Sequence, residues 1–196
     1  ESGEAENTIV IYVSDHGDHA AEHGLWCKGL PCFRSAYHVP LIVRWPAGIE
    51  RPGRTVDAFV SLADIAPTLL EAAGINPGRS FAGRSLVPFF KGDEPADWRD
   101  AVFTQSNGNE LYGIQRSVMT REWKYVYNGF DYDELYDLKQ DPHETRNLAK
   151  SPEHAGILRE LAGRMWRFAY ERKDVCVNSY IMVALAPYGP GEAFRR

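Results

Sequence analysis

The feature that most constrains the fold is an uninterrupted apolar run, IVIYV at residues 9–13, which is followed directly by Ser-Asp-His-Gly. Its β-branched and aromatic side chains do not alternate with polar ones, and this pattern is typical of a parallel strand covered on both faces. Asp15 and His16 then stand just beyond the carboxyl end of the predicted strand. Because ligands of open α/β sheets bind at that end, we expect both side chains to line a cleft.

A second strand and two helices are predicted before residue 95. The segment LIVRW at residues 41–45 is another mostly apolar run and ends at a proline. Residues 61–74 repeat apolar positions at helical spacing, and Ser61 with Asp64 three residues later predicts a capping box at the start of that helix. A shorter helix is predicted within residues 84–93. The first half of the chain is therefore predicted to be α/β.

Beyond residue 100 the pattern changes to short strands followed by one long helix. Short links between the strand segments predict antiparallel pairing, and the segments are AVFTQ, YGIQRSVMT, KYVYNG and DELYDL. Residues 151–174 repeat apolar positions at helical spacing and begin with Ser-Pro-Glu, which is typical of a helix N-terminus. We expect this helix to lie across the small sheet.

Charge and cysteine content exclude several classes of protein. The chain has 22 Lys and Arg against 27 Asp and Glu, a net charge of -5, so nothing in the overall balance attracts nucleic acid or an anionic membrane. The longest nearly apolar stretch, VCVNSYIMVALAP, is shorter than the roughly 20 residues of a membrane span. Three scattered cysteines are too few for a disulfide framework. We expect a soluble protein of the cytoplasm or periplasm, with the cytoplasm favoured.

The Asp-His-Gly segment also suggests chemistry. Asp15 and His16 can face one cleft if the turn at Gly17 breaks the alternation of the strand, which makes them candidate ligands of one divalent ion. The same tripeptide is also an ordinary strand-ending turn in which the aspartate caps its own backbone. Lys28 follows His16 by twelve residues and could return an ammonium to the cleft, although most lysines are solvated surface residues.

Five segments together resemble the carboxy-terminal part of formylglycine-dependent sulfatases of the alkaline phosphatase superfamily. They occur in family order between about residues 7 and 150, and they are SDHGDHAAEHGLWCKG, VPLIVRWPAGI, SLADIAPTLLEAAGI, GRSLVPFFKGD and ELYDLKQDPHETRNLA. The resemblance implies that residues 1–95 are the C-terminal part of an alkaline-phosphatase-like α/β sandwich. It implies that residues 96–196 form a C-terminal α+β subdomain, a small antiparallel sheet packed by the long helix.

The resemblance also implies a metal and sulfate site. Asp15 and His16 look like two ligands of a divalent metal, usually Ca²⁺ in sulfatases and sometimes Mn²⁺ or Zn²⁺ in related phosphonate monoester hydrolases. Lys28 resembles the lysine that contacts the sulfate group. Cleavage of a sulfate ester builds negative charge on its oxygens, and a metal with an ammonium stabilises that charge.

Three further polar residues are weaker candidates. His23, in the EHGLW segment, could act on the leaving group as a general acid, or it could simply pack within its loop. Gln105 and Asn107, with Asn109 in the same QSNGNELYG loop, could hydrogen-bond a polar alcohol, although most polar loops are only solvated.

The sequence lacks the Cys/Ser-x-Pro-x-Arg motif from which such sulfatases make their formylglycine nucleophile. The resemblance places that motif, and the acidic residues that complete the metal site, in an amino-terminal region. We therefore expect a sulfatase fragment that needs this region as its partner, acts with it on a small sulfate ester, and is inactive alone. Alternatives are a phosphonate monoester or phosphodiester hydrolase and a noncatalytic interaction fragment, and formation of a homo-oligomer stays open.

Overall fold

The computed structural model describes residues 3–92, 94–108, 113–177 and 187–194. Its strands and α-helices follow in the order β1 (Val10–Val13), α1 (Arg34–Tyr37), β2 (Leu41–Arg44), α2 (Ile65–Ala72), α3 (Val87–Phe90), β3 (Val102–Ser106), β4 (Gln115–Met119), β5 (Trp123–Asn128), β6 (Glu134–Asp137) and α4 (Ala155–Glu171). The chain divides into two compact units. The first unit contains Glu1–Asp15 and Val39–Asp100, and the second contains His16–His38 and Ala101–Arg196.

In the first unit β1 pairs with β2, and the pair is antiparallel, with Val10 opposite Arg44. The prediction of a parallel strand covered on both faces was therefore wrong for this chain. Val10 and Tyr12 lie on one face and are 49% and 64% exposed, whereas Ile11 and Val13 are half-buried. The error has a physical cause, because an apolar run reports how a strand prefers to be buried and not the direction of its neighbour.

The predicted capping box opens the α2 region. The Ser61 backbone N–H donates to Asp64 Oδ2 at 2.7 Å, and the Ala63 N–H donates to Ser61 Oγ at 3.3 Å. Asp64 is fully buried and also accepts both guanidinium N–H bonds of Arg99, at 2.7 and 2.9 Å. This carboxylate therefore joins the helix start to the end of the unit, beside an apolar cluster of Leu86, Val87, Phe89 and Phe90.

The second unit confirms the predicted antiparallel sheet and its helix. The strand order is β3-β4-β5-β6, each neighbour antiparallel. α4 packs against β4 and β5, and Trp166 on the helix is fully buried with its ring 4.9 Å from that of Tyr127. The burial of apolar side chains from both elements builds the core of this unit.

α4 is shorter than the 151–174 segment predicted for it. The chain first forms a 3-10 turn at Pro152–His154, and the helix ends at Glu171. Lys173 has φ +56°, a left-handed conformation that cannot continue an α-helix. In the part of the chain that the structure describes, no helix is both long enough and apolar enough to span a membrane.

Candidate functional site

Asp15 and His16 follow β1 and are both exposed. His16 Nδ1 lies 2.7 Å from the Gly17 carbonyl oxygen. A carbonyl only accepts hydrogen bonds, so Nδ1 is the donor in this contact. The hydrogen bond fixes the orientation of the ring. The role of His16 as a metal ligand stays a prediction.

The turn after His16 requires glycine. A Cβ on Gly17 would lie 2.0 Å from the Ser35 carbonyl oxygen, and the Gly17 N–H donates to the Ala36 carbonyl at 2.8 Å. Any other residue at position 17 would have to move the backbone of α1 or the turn itself. The position of His16 thus depends on the close approach of these two backbone segments.

The two predicted ligands, Asp15 and His16, are too few for a complete metal site. Among the described residues, no group of three or more His, Cys, Asp or Glu side chains is arranged to hold a metal ion. Ca²⁺ takes six to eight oxygen ligands and Zn²⁺ takes four ligands. The metal site at Asp15 and His16 stays a prediction.

Residues 17–33, which we call the 17–33 loop, adopt a strained backbone. Positive φ angles occur at four residues other than glycine, namely Ala20, Ala21, His23 and Cys27. Each such conformation costs about 1–2 kcal/mol and persists only when surrounding contacts enforce it. Two backbone hydrogen bonds cross the loop, His19 N–H to Cys27 O and Ala21 N–H to Leu25 O, both at 2.8 Å. Strain of this kind clusters at functional sites.

Lys28 and His23 both lie on this loop and are exposed. The ring of His23 stacks on that of Phe33, with 3.7 Å between centroids and 9° between planes. His23 therefore has the packing contact that we weighed against a catalytic role, and the catalytic role stays a prediction. The side chain of Lys28 projects from a segment whose backbone is fixed on both sides, at Cys27 and at Phe33.

His19 is the buried histidine of the loop, at 2% exposed. Its Nδ1 lies 3.1 Å from Ser35 Oγ, and Nε2 has no hydrogen-bond partner among the described residues. Burial lowers the pKa of His19, which favours the neutral ring. This residue therefore helps to pack the loop against α1.

Gln105 and Asn107 lie at the end of β3 and just beyond it, and both are exposed; Asn109 falls outside the described residues. Asn107 Oδ1 accepts a bond from Arg116 Nη2 at 2.8 Å. Arg116 is 3% exposed and is paired with Asp174 at 2.6 and 2.8 Å. The amide oxygen of Asn107 is thus engaged in structure, and its NH₂ group keeps donor capacity.

The structure brings this strand end close to the loop that carries Lys28. The Tyr37 hydroxyl makes a long hydrogen bond of 3.4 Å to the Gly29 carbonyl, and the side chain of Ser106 lies close to the same hydroxyl. Burial raises the pKa of Tyr37, so the group stays a neutral donor. The end of β3 and the residue after Lys28 therefore meet at one tyrosine within the second unit.

Sequence reasoning missed two buried charged residues beneath the loop. Lys124 on β5 and Glu144 are 4% and 3% exposed, and Lys124 Nζ lies 2.7 Å from Glu144 Oε2 and 2.5 Å from the Cys32 carbonyl oxygen. The signal that could have found them is a lysine within the apolar strand segment WKYVYN, because lysine is almost never buried without a partner.

Comparison with known proteins agrees with this architecture. A family model described as N-sulphoglucosamine sulphohydrolase, C-terminal, matches residues 21–171. The N-acetylglucosamine-6-O-sulfatase of Bacteroides thetaiotaomicron is 35% identical over 183 residues, which cover 88% of this chain and 32% of that protein. The chain spans about a third of the length of the curated relatives it matches.

Solved structures are similar over the same region. The phosphonate monoester hydrolase of Agrobacterium radiobacter has a TM-score of 0.81 and 29% identity, covering 92% of this chain and 39% of its own. A protein solved in complex with its substrate, D-glucosamine-2-N,6-O-disulfate, has a TM-score of 0.79 and 32% identity, covering 88% of this chain and 36% of its own. The predicted resemblance and fold class are confirmed. The chain belongs to the N-sulphoglucosamine sulphohydrolase C-terminal family, and it is similar to the carboxy-terminal portion of sulfatases of the alkaline phosphatase superfamily.

Proposed function

We propose that this chain is the part of a sulfuric ester hydrolase that supplies two metal ligands and the sulfate-contacting lysine. The observation that supports it most directly is the placement of Asp15 and His16 directly after β1, where the hydrogen bond between His16 Nδ1 and the Gly17 carbonyl oxygen fixes the orientation of the imidazole ring. In this proposal the chain does not cleave esters alone, since the formylglycine nucleophile belongs to the amino-terminal region of the same enzyme.

Asp15 would bind a divalent cation through its carboxylate, and His16 would bind it through Nε2. When bound, the cation supplies Lewis-acid stabilisation of charge on the sulfate oxygens. Ca²⁺ is the ion that the family resemblance implies, and a carboxylate suits it. The imidazole of His16 also suits Mn²⁺ or Zn²⁺, so these are the alternatives that a metal analysis would distinguish.

Lys28 would contact the non-bridging sulfate oxygens. Its ammonium is a compact point charge, which suits a tetrahedral anion that offers oxygens in several directions. Fixing the ammonium in advance matters, because a donor already aimed at developing charge needs no reorganisation during the reaction. The fixed backbone at Cys27 and Phe33 on either side of Lys28 supports this role.

His23, Gln105 and Asn107 would act on the alcohol part of the substrate. His23 would give a proton to the leaving oxygen, with its ring orientation set by the stack on Phe33. The Asn107 NH₂ group and the Gln105 side chain would hydrogen-bond polar groups of the alcohol. The link from Ser106 through Tyr37 to Gly29 supports a shared location with Lys28.

The partner in this proposal is the amino-terminal region with its formylglycine, and the substrate is a small sulfate ester. We place the protein in the cytoplasm or periplasm and favour the cytoplasm, because Cys27, Cys32 and Cys176 are all free thiols. The likeness to a phosphonate monoester hydrolase with a TM-score of 0.81 favours phosphonate monoester hydrolysis as the second candidate.

The test compares esters in the enzyme formed by this chain and its amino-terminal region. We expect an aryl sulfate to be hydrolysed faster than a phenylphosphonate ester, and a chelator to abolish both activities. Lys28→Ala should lower kcat/KM for the aryl sulfate by roughly 10²–10³. Lys139→Ala, at an exposed lysine elsewhere in the second unit, is the matched control. Sulfate release that survives both Lys28→Ala and chelation would rule out the proposal.

A further inference from the structure

Lys124 and Glu144 form a buried ion pair whose stability contribution does not explain its presence. Both side chains are almost fully buried, and their charged atoms are 2.7 Å apart. Removing two charges from water offsets most of their attraction, so an apolar pair of similar volume often stabilises a protein as well or better. The other contacts of the Lys124 ammonium offer a second explanation for the pair.

Lys124 also contacts the 17–33 loop. Its Nζ donates to the Cys32 carbonyl oxygen at 2.5 Å, across 92 residues of sequence. Nζ also lies 5.9 Å from the centroid of the Phe33 ring, within the range of a cation–π attraction. The ammonium thus contacts two consecutive residues at the end of the loop, four and five residues after Lys28.

Phe33 connects Lys124 to other residues of the 17–33 loop. Its ring also contacts the stacked ring of His23, with 3.7 Å between centroids, and the edge-on ring of His19, with 6.2 Å between centroids. The ring of Tyr136, on β6 of the sheet, has its centroid 6.3 Å from that of Phe33. The residues at positions 20, 21, 23 and 27 of the loop have left-handed backbone conformations. These conformations are strained, so contacts from outside the loop are needed to maintain them.

The acceptor of the pair is also held in place. Glu144 has φ +57° and lies in a tight turn in which Asp141 accepts the backbone N–H groups of Thr145 and Arg146, at 2.7 and 2.8 Å. Backbone hydrogen bonds from these residues lower the pKa of Asp141, which keeps the turn intact at neutral pH. The Glu144 carboxylate that pairs with Lys124 is therefore held by its own turn, independently of the 17–33 loop.

We propose that Lys124 is a positioning residue that acts through Cys32 and Phe33 to orient Lys28 toward the sulfate group. This inference rests on the proposed function of Lys28. Glu144 holds the ammonium, the ammonium holds the end of the loop, and the loop presents Lys28. The ion pair is kept because it fixes one loop geometry, which an apolar pair would not do.

The test is a double-mutant cycle in the enzyme formed by this chain and its amino-terminal region. Lys124→Met with Glu144→Met removes the ion pair without leaving an unpaired charge. We expect kcat/KM for an aryl sulfate to fall roughly 10- to 100-fold, as for a misplacement of about 1 Å. In a Lys28→Ala background the same double change should lower kcat/KM less than about 3-fold, because the residue it positions is already gone.

The exposed pair Lys139 and Glu122 provides the matched control, as Lys139→Met with Glu122→Met. Equal losses from the buried-pair change with and without Lys28 would overturn the inference and leave the proposed function standing. An unchanged kcat/KM in Lys28→Ala alone would overturn both.

A second variant covers the case in which the double methionine variant does not fold. Phe33→Leu keeps the ion pair and removes the ring that stacks on His23. The Phe33→Leu change should lower kcat/KM more in the enzyme with Lys28 than in the Lys28→Ala background. It should also speed hydrogen exchange at the His19 and Ala21 amides, which bond across the loop, at least 10-fold relative to the amides of α4. Unchanged exchange at those two amides would contradict the inference.

Discussion

The α4–sheet core and the 17–33 loop belong to the same compact unit but are held together by different forces. In the core, Trp166, Tyr125 and Val118 are completely buried, and burial of apolar surface supplies the stability. The loop exposes His23 and Lys28 and relies on a few polar and aromatic contacts to maintain a strained backbone. The difference indicates that stability and the proposed sulfate contact can be perturbed separately.

The largest effect should come from the core. Trp166 is fully buried, and its Nε1–H donates to the Tyr188 carbonyl at 2.7 Å. Trp166→Ala leaves a cavity, so we expect the free energy of unfolding to fall by about 3–5 kcal/mol in urea titrations followed by circular dichroism. Trp26→Ala, at a tryptophan that is 73% exposed, should change it by less than about 0.5 kcal/mol. Similar losses in the two variants would contradict this comparison.

A substitution in the turn at Gly17, where the 17–33 loop begins, should distinguish the loop from the core most clearly. Gly17→Ala places a Cβ against the Ser35 carbonyl and must displace the turn that follows His16. We expect a loss of about 1–3 kcal/mol in unfolding free energy, together with a kcat/KM loss of roughly 10- to 100-fold in the complete enzyme. Gly156→Ala is the control, because its Cβ would meet nothing within 4 Å. A kcat/KM that matches the unsubstituted enzyme would show that the turn tolerates displacement.

A smaller effect on stability is expected from the titration of His19 in the 17–33 loop. Burial lowers the pKa of His19 in the folded chain; the neighbouring Asp18 and Glu22 oppose this change, and His23 adds to it. The unfolded chain therefore binds a proton first as pH falls below the ordinary histidine value of about 6.5. Stability should then decline as pH falls from 6.5 toward the folded pKa, and it should be fully present above 6.5.

His19→Asn should flatten this part of the stability curve, measured by urea unfolding at several pH values. His143→Asn, at an exposed histidine of the same unit, is the control. If the decline persisted in His19→Asn, another group would have to be responsible. In the same unit Arg116 holds the pKa of Asp174 below its usual range, so that ion pair loses stability only in stronger acid.

The smallest effect should come from the edge of the proposed site. Asn107→Ala removes one hydrogen bond to Arg116 and one donor for the alcohol. We expect KM to rise by less than about 5-fold with kcat unchanged, which corresponds to one hydrogen bond of about 1 kcal/mol. Steady-state kinetics with two aryl sulfates of different polarity would measure it. A fall in kcat with constant KM would place Asn107 closer to the reacting atoms than proposed.

Much of the fold could be predicted because its signals are local. The capping box at Ser61 and Asp64, the four strands after residue 100 and the amphipathic helix each follow from periodicity or turn chemistry within a few residues. The Asp-His-Gly segment and Lys28 were found as candidates by their order along the chain. The hydrogen bond that orients the His16 ring was not, because it depends on where the Gly17 carbonyl lies.

The sequence by itself determined the elements, the sulfatase resemblance and the candidate site residues, since composition, spacing and capping are properties of neighbouring residues. Only the tertiary structure decided the antiparallel pairing of β1 with β2, the engagement of Asn107 by Arg116 and the attachment of the loop to Lys124. Each of these joins residues that are distant along the chain, and Cys32 and Lys124 are 92 positions apart. The physical reason is that a buried charge selects its partner by position in space, and no periodic pattern along the chain records that choice.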